Sequence, residues 1–398
     1  MKSSNLSKNW LAGHLIKLRQ RLMISLGIVI FSYPSSLHAQ VLIDLGNLSG
    51  GSGSSALGVN DSGQVVGYAS TSSSSANAFL YSGGVMTDLG TLGGKTSDAT
   101  GINNSGQIVG YSTTTASGGT TNAFLYSGGS MTNIGTLGGT YSEATGINTS
   151  GQVVGLATTS GGNSNAFLYS GGSMTNIGTL GGNYCVAYGI NASGQIAGYS
   201  FANGAAYANA FLYSSGTFTN LGTLGGNGSY ATGINASGQV VGYAPTATSG
   251  GNPVAFIYSG GTMTNIGYSG ALVSEATGIN NSGQVVGDVT TQTSSYFSFT
   301  YSSTTGIQNL NTLYASLLVS GSGPLQGFTS LSYASAVNNS GEIVGQGSYW
   351  NGTTTLNEAF LLNPNAVPEP STWALLLGGL GLLAFRHLRS FWQEKGRA

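Results

Sequence analysis

Charge is scarce in this chain: Asp, Glu, Lys and Arg make up 5% of its 398 residues, against roughly a quarter in an ordinary globular domain. Basic charge is nearly missing from the middle. Between residues 40 and 366 the one cation is Lys95, while the same stretch carries Asp44, Asp61, Asp88, Asp98, Glu143, Glu275, Asp288, Glu342 and Glu358. A nucleic-acid partner needs clustered Lys and Arg to neutralise phosphates, so this inventory excludes one. Histidine is missing from the middle too, since His14, His38 and His387 all lie in the flanks. That excludes Ser-His-Asp and Cys-His nucleophiles and His-based zinc sites there, and points away from an enzyme. Cys185 is the only cysteine. No internal disulfide can form, and packing with strand pairing must hold the fold. Cys185 stands where sister segments carry Ser, and reads as a small apolar filler. No window shows the three-to-four spacing of an amphipathic helix.

Glycine, by contrast, is abundant, at 67 residues, and it recurs in register. The pattern Asn-x-Ser-Gly-Gln/Glu starts at Asn60, Asn103, Asn148, Asn191, Asn235, Asn280 and Asn338. Between these marks lies Ala-Phe-Leu-Tyr or a variant, with its Phe at 79, 124, 167, 211, 256, 299 and 360. A third mark, like Met131-Thr-Asn-Ile-Gly-Thr-Leu-Gly-Gly139, follows every Phe segment but the last. Each unit offers four strand candidates; in the second they are Ala99–Asn103, Gln107–Tyr111, Asn122–Tyr126 and Ser130–Ile134, rich in β-branched and aromatic residues. Asn-x-Ser-Gly and Ser-Gly-Gly are the turns between them: Asn bonds the turn backbone and Gly accepts positive φ. Asn-x-Ser also spells a glycosylation sequon, but the turn explains it without a glycan. Gly-rich runs such as Leu92-Gly93-Gly94 lack the Gly-Lys-Ser/Thr of a phosphate loop and read as tight connectors between units.

Four strands in about 44 residues is the size of a propeller blade. The last unit has three strands, through Phe360-Leu361-Leu362, and Val41-Leu-Ile-Asp-Leu-Gly46 is a fourth strand with no unit before it. Joining the two completes a seventh blade and removes two open edges. The expected fold is therefore an all-β, seven-bladed β-propeller of four-stranded blades, with the N-terminal strand closing the last blade. An open β-solenoid of the same units is the alternative. Across residues 41 to 362 the marks resemble the extracellular repeat of the HAF family, which implies an extracellular location and a repeat architecture, and little about activity.

Both ends read as addresses. Lys2, Lys8, Lys17, Arg19 and Arg21 precede the apolar run Leu22–Tyr33, and Leu37-His38-Ala39 offers signal cleavage after Ala39, with a retained anchor as the alternative. At the other end Pro368-Glu369-Pro370 precedes the apolar run Thr372–Phe385 and the basic Arg386, His387 and Arg389. This tail resembles the PEP-CTERM sorting signal of Gram-negative bacteria. The resemblance implies an exosortase-type membrane protease as processing partner, recognising Pro368, Glu369 and Pro370, and a place at the cell surface or outside. The run is about 14 residues, short for a spanning helix, and is stretched by Trp373 and the basic end; a permanent tail anchor is the alternative. The expected divisions are a signal peptide over 1–39, the repeat domain over 40–366, and the sorting signal with a short transmembrane helix over 367–398.

If Ala-x-Gly-Ile-Asn is the innermost strand, the residue before it rings one mouth of a central channel. Across the units it is Ser55, Asp98, Glu143, Val186, Tyr230, Glu275 and Tyr333, varying while its neighbours repeat. Asp98, Glu143, Tyr230, Glu275 and Tyr333 are the candidate ligand rim: carboxylates suit sugar hydroxyls or Ca²⁺, and Tyr rings suit apolar sugar faces. A solvated rim that tolerates any polar residue explains the same pattern. Variable loops between second and third strands share that face, and so does the insertion Asn311–Ser332, whose Leu317-Leu318-Val319 could cap the channel or contact a partner. The expected role is an exported, non-catalytic binding module for exopolysaccharide or another surface component. A purely structural surface protein is the alternative. An Asp98–Glu143 carboxylate pair for glycan hydrolysis is a third reading, with nothing local to set it apart from rim residues.

Overall fold

The computed structural model describes residues 39–72, 75–115, 119–293 and 295–366. The apolar runs expected as terminal helices, and Pro368, Glu369 and Pro370, lie outside the described residues. Among the described residues no helix is long and apolar enough to cross a membrane. The chain divides into a central unit, Val41–Pro364, and the flanks Met1–Gln40 with Asn365–Ala398.

The central unit is all-β and consists of seven four-stranded antiparallel sheets in chain order. The second shows the pattern: Gly93–Ile102, Ile108–Thr114, Thr121–Ser127 and Ser130–Asn133, each paired with the next. A single parallel bridge, Ser164 to Tyr184, links the third sheet to the fourth. The seventh sheet runs Ala39–Asp44, Thr355–Ala366, Ile343–Trp350, Gly327–Val337 across its width. The N-terminal strand thus supplies the outer edge that the last unit lacks, with the Leu45 N–H donating to the Ala359 carbonyl at 3.0 Å.

The turns follow from the residues. In the second unit Asn103 Oδ1 accepts from the backbone N–H groups of Ser105 and Gln107, and Gly106 takes φ 75°. Ser127-Gly128-Gly129 closes the outer hairpin with φ 59° and 84°, the mirror-image turn that matches strand twist. One expectation is corrected. In the second, third and fourth sheets the Leu-Gly-Gly segments are not connectors between units: Gly93, Gly138 and Gly181 open the first strands, and Gly93 pairs with Thr114, whereas Leu224-Gly225-Gly226 lies before the strand Tyr230–Ile234. They are glycine because a Cβ on Gly94 would stand 2.3 Å from Thr113 Oγ1 and 2.4 Å from its carbonyl oxygen.

The core lies between sheets. Phe79, Phe124, Phe167, Phe211, Phe256, Phe299 and Phe360 are all fully buried, each worth about 1.5–3 kcal/mol in removed apolar surface. Every cluster joins neighbours: Val109, Ala123 and Ile134 of the second sheet pack on Ala144, Val153 and Phe167 of the third. Leu45, Val344 and Leu361 of the seventh pack on Val65 and Phe79 of the first, so the sheets succeed one another in a cycle.

The insertion holds a short helix, Leu310–Leu313, and a 3₁₀ turn, Ala315–Leu317. Leu310 and Tyr314 are buried with Phe328 and Leu331, and Leu317 and Leu318 pack against that cluster. Its apolar residues therefore extend the core of the seventh sheet; they line neither central cavity.

Candidate functional site

The first strands of all seven sheets line one cavity of about 510 Å³. Its wall repeats Thr-Gly-Ile: Thr100, Thr145, Thr232 and Thr277 donate from Oγ1 to the carbonyls of Ala144, Ala187, Ala276 and Ala334 on the next sheet, at 2.6–2.8 Å. Three units depart from Thr at this lining position, with Leu57, Tyr188 and Ser335. Tyr188 is the one aromatic side chain among the lining residues, and it is 36% exposed.

At one end the strands finish in the repeated asparagines, which line a smaller cavity of about 220 Å³. Each Asn is buried and donates from Nδ2 to the backbone carbonyl of the next: Asn60 to Asn103, Asn103 to Asn148, Asn148 to Asn191, Asn191 to Asn235, Asn235 to Asn280 and Asn280 to Asn338. Asn338 donates back to Asn60 at 3.0 Å, and the cycle is complete. Beside it Asp61 is buried in part, which alone would raise its pKa. Hydrogen bonds from Asn339 and Asn104 outweigh this and hold the carboxyl below its usual range.

At the other end stand the predicted rim residues, two positions before the lining residue in every unit. None of Asp98, Glu143, Tyr230, Glu275 and Tyr333 lines the 510 Å³ cavity itself. Their backbones are fixed by a second-strand glycine: a Cβ on Gly110 or Gly155 would stand 1.9 Å from the carbonyl oxygen of Asp98 or Glu143. The residue after that glycine pairs with the rim residue: Tyr111 with Asp98, Leu156 with Glu143, Tyr199 with Val186, Tyr243 with Tyr230, Asp288 with Glu275 and Gln346 with Tyr333. This second variable position was not singled out from sequence. The signal was present, since it alone varies after a constant Val/Ala-Gly.

The entrance has chemically distinct sectors. In the fourth and fifth units Tyr199 stacks on Tyr188 at 5.8 Å and on Tyr184 at 6.2 Å, and meets Tyr230 edge-on at 4.9 Å. Tyr230 in turn stacks on Tyr243 at 5.1 Å. Burial raises the pKa of Tyr188, Tyr199 and Tyr243, so their hydroxyls stay protonated at neutral pH. In the second and third units Asp98 is raised by burial, opposed by a hydrogen bond from Tyr111, while the Tyr141 hydroxyl donates to Glu143. In the sixth, burial raises Glu275, and burial with the neighbouring Glu275 pushes Asp288 up to about 7. Tyr296 and Tyr333 stand 6.1 Å apart beside them.

A Ca²⁺ site needs six to eight converging oxygens. Among the described residues no group of three or more Asp, Glu, His or Cys side chains could hold a metal, so Asp98, Glu143 and Glu275 stay in separate units without converging. Cys185 is fully buried, and burial pushes its thiol up to about 12.

Residues 366–390 match the PEP-CTERM protein-sorting motif. The chain therefore carries the sorting signal of exosortase substrates, which implies export through a Gram-negative-type cell envelope. No curated protein matches the chain. Solved structures resemble it loosely. TolB from Acinetobacter baumannii is 12% identical, over 60% of this chain and 61% of that one, with a TM-score of 0.40. A triple-arginine mutant of AofleA from Arthrobotrys oligospora is 13% identical, over 68% and 90%, with a TM-score of 0.38. An Aleuria aurantia lectin mutant in complex with Fucalpha1-6GlcNAc is 14% identical, over 63% and 92%, with a TM-score of 0.35.

Proposed function

We propose that the central unit is a seven-bladed β-propeller of HAF-type repeats, acting outside the cell as a non-catalytic binding module for the neutral portions of an exopolysaccharide. The cyclic asparagine bonding favours the ring over an open stack of units. Tyr188 carries the functional reading. Where four sister units place Thr, it sets a partly exposed ring on the wall of the central cavity, backed by Tyr199, Tyr184 and Tyr230. A braced aromatic face pairs with the apolar face of a sugar, and neighbouring hydroxyls and carboxylates suit its hydroxyl groups. The near absence of cations disfavours acidic glycans.

The test is a panel of neutral oligosaccharides of glucose, galactose and mannose, titrated against the full chain. Tyr188→Thr, the residue sister units carry, should weaken binding at least tenfold, roughly 1.4 kcal/mol. Tyr207→Thr, exposed on a loop, should leave binding unchanged. Equal binding by Tyr188→Thr and the parent would remove Tyr188 from the site. A parent that binds no member of the panel leaves the structural surface protein as the better reading.

A further inference from the structure

The seventh sheet is where the two ends of the central unit meet, and its polar pairing differs from that of its sisters. In the first unit Asn77 Nδ2 donates to the Asp88 carboxylate at 2.9 and 3.1 Å; in the third, Asn165 donates to Asn176 at 3.1 Å. The matching residues in the seventh sheet are Glu358 and Asp44, two acids with no amide between them. Glu358 is 3% exposed. Its Oε1 accepts from Asn47 Nδ2 at 2.7 Å, and its Oε2 lies 3.2 Å from Ser54 Oγ.

Proton counting decides the state of this carboxyl. Ser54 has one hydroxyl proton, and Oγ donates it to the Gly46 carbonyl at 2.6 Å while accepting from the Ala359 N–H at 2.9 Å. The same serine bond recurs in the sisters, from Ser97 to Gly90 at 2.5 Å, from Ser142 to Gly135 at 2.6 Å and from Ser229 to Gly222 at 2.6 Å. The Ser54–Glu358 contact therefore has a donor only when Glu358 Oε2 carries the proton.

We propose that Glu358 is a proton-gated latch: the N-terminal strand docks on the last strand with one proton taken from water onto Glu358, and the seam loosens when that proton leaves. The groups facing it agree. Asp44 is the other acid at the seam, with its carboxylate accepting from the Gly46 N–H, and Tyr349 and Tyr81 are the titratable groups near Asp44. The one Lys or Arg between residues 40 and 366, Lys95, belongs to the second unit. Burial first, and then Asp44, raise Glu358, against the hydrogen bond from Asn47. A carboxyl raised on docking strengthens the docked state fully below its ordinary range, about 4.3 for Glu. That contribution is lost as pH rises through the raised value.

The experiment is amide hydrogen exchange on the full chain at pH 5 and pH 8, corrected for intrinsic exchange. Residues 41–45 report the seam and Val153–Thr159 serves as internal control. Protection at the seam should fall at least tenfold more than in the control. Glu358→Gln keeps an acceptor for Asn47 and gives Ser54 a permanent donor, so it should abolish that difference. Asp44→Asn, which returns the sister amide, should move the loosening to lower pH. A seam that follows the control in the parent, a Glu358→Gln protein that loosens like the parent, or an unmoved midpoint in Asp44→Asn would each overturn the latch.

Discussion

The two ends of the seven inner strands obey opposite rules. At the asparagine end every unit carries the same residue, and its side chain is the structural link: Nδ2 reaches the next sheet while Oδ1 holds the turn. At the rim end the side chain is free to be Ser, Asp, Glu, Val or Tyr, because the constraint sits on the second-strand glycine pressed against the rim carbonyl. A repeated residue here marks structure, and a varying residue marks a backbone held by something else. The rim is where side chains can vary while the backbone stays fixed.

The sharpest way to break this contrast is to attack the hidden constant behind the variable end. Gly155→Ala puts a Cβ 1.9 Å from the Glu143 carbonyl oxygen. It should cost about 4 kcal/mol or more, or prevent folding, as read by denaturant midpoint. A mild effect would mean the backbone at Glu143 relaxes easily and the glycine is not what holds it.

Next in size is the asparagine end. Asn148→Ala removes the bond to Asn191, the pairing with Gln152 and the acceptor for two turn N–H groups. The expected loss is about 2–3 kcal/mol in urea unfolding. A loss under about 0.5 kcal/mol would show that packing alone closes the cycle.

The smallest effect belongs to rim chemistry. Asp288 is raised to about 7 beside Glu275. Its contribution to stability is complete below the ordinary carboxylate range and is lost as pH rises through about 7. Asp288→Asn should stabilise the protein relative to the parent, by about 1 kcal/mol more at pH 8 than at pH 5. Identical pH profiles for variant and parent would mean water at the rim screens the pair.

Much of this was legible in one dimension. The Asn-x-Ser-Gly and Ala-Phe-Leu-Tyr marks located the strands because turn chemistry and strand alternation are local properties. The need of Phe360's unit for a fourth strand, and the orphan at Val41, located the seam. The variable residue at Asp98, Glu143 and their counterparts was legible as variation against a constant frame, though not that it lies outside the cavity wall. The second-strand partners Tyr111, Tyr199 and Asp288 were missed, since which residue faces Asp98 or Glu275 depends on register across the shifts between Ala99 and Gly101 and between Ala276 and Gly278. Tyr188 was missed because the cavity wall shows only once seven strands come together. Leu317 and Leu318 were misplaced at the channel because an apolar run announces burial without saying against what.

The sequence alone determined the unit, its strands, its turns and its copy number, for these rest on residues within a few positions of one another. The ring of Asn side chains, the tyrosine sector and the buried Glu358 were decided only in three dimensions. Each depends on groups tens or hundreds of residues apart arriving within 3 to 6 Å, as Asn338 does at Asn60 and Glu358 does at Asn47. No local propensity encodes that arrival; it follows from burying the seven Phe side chains between neighbouring sheets.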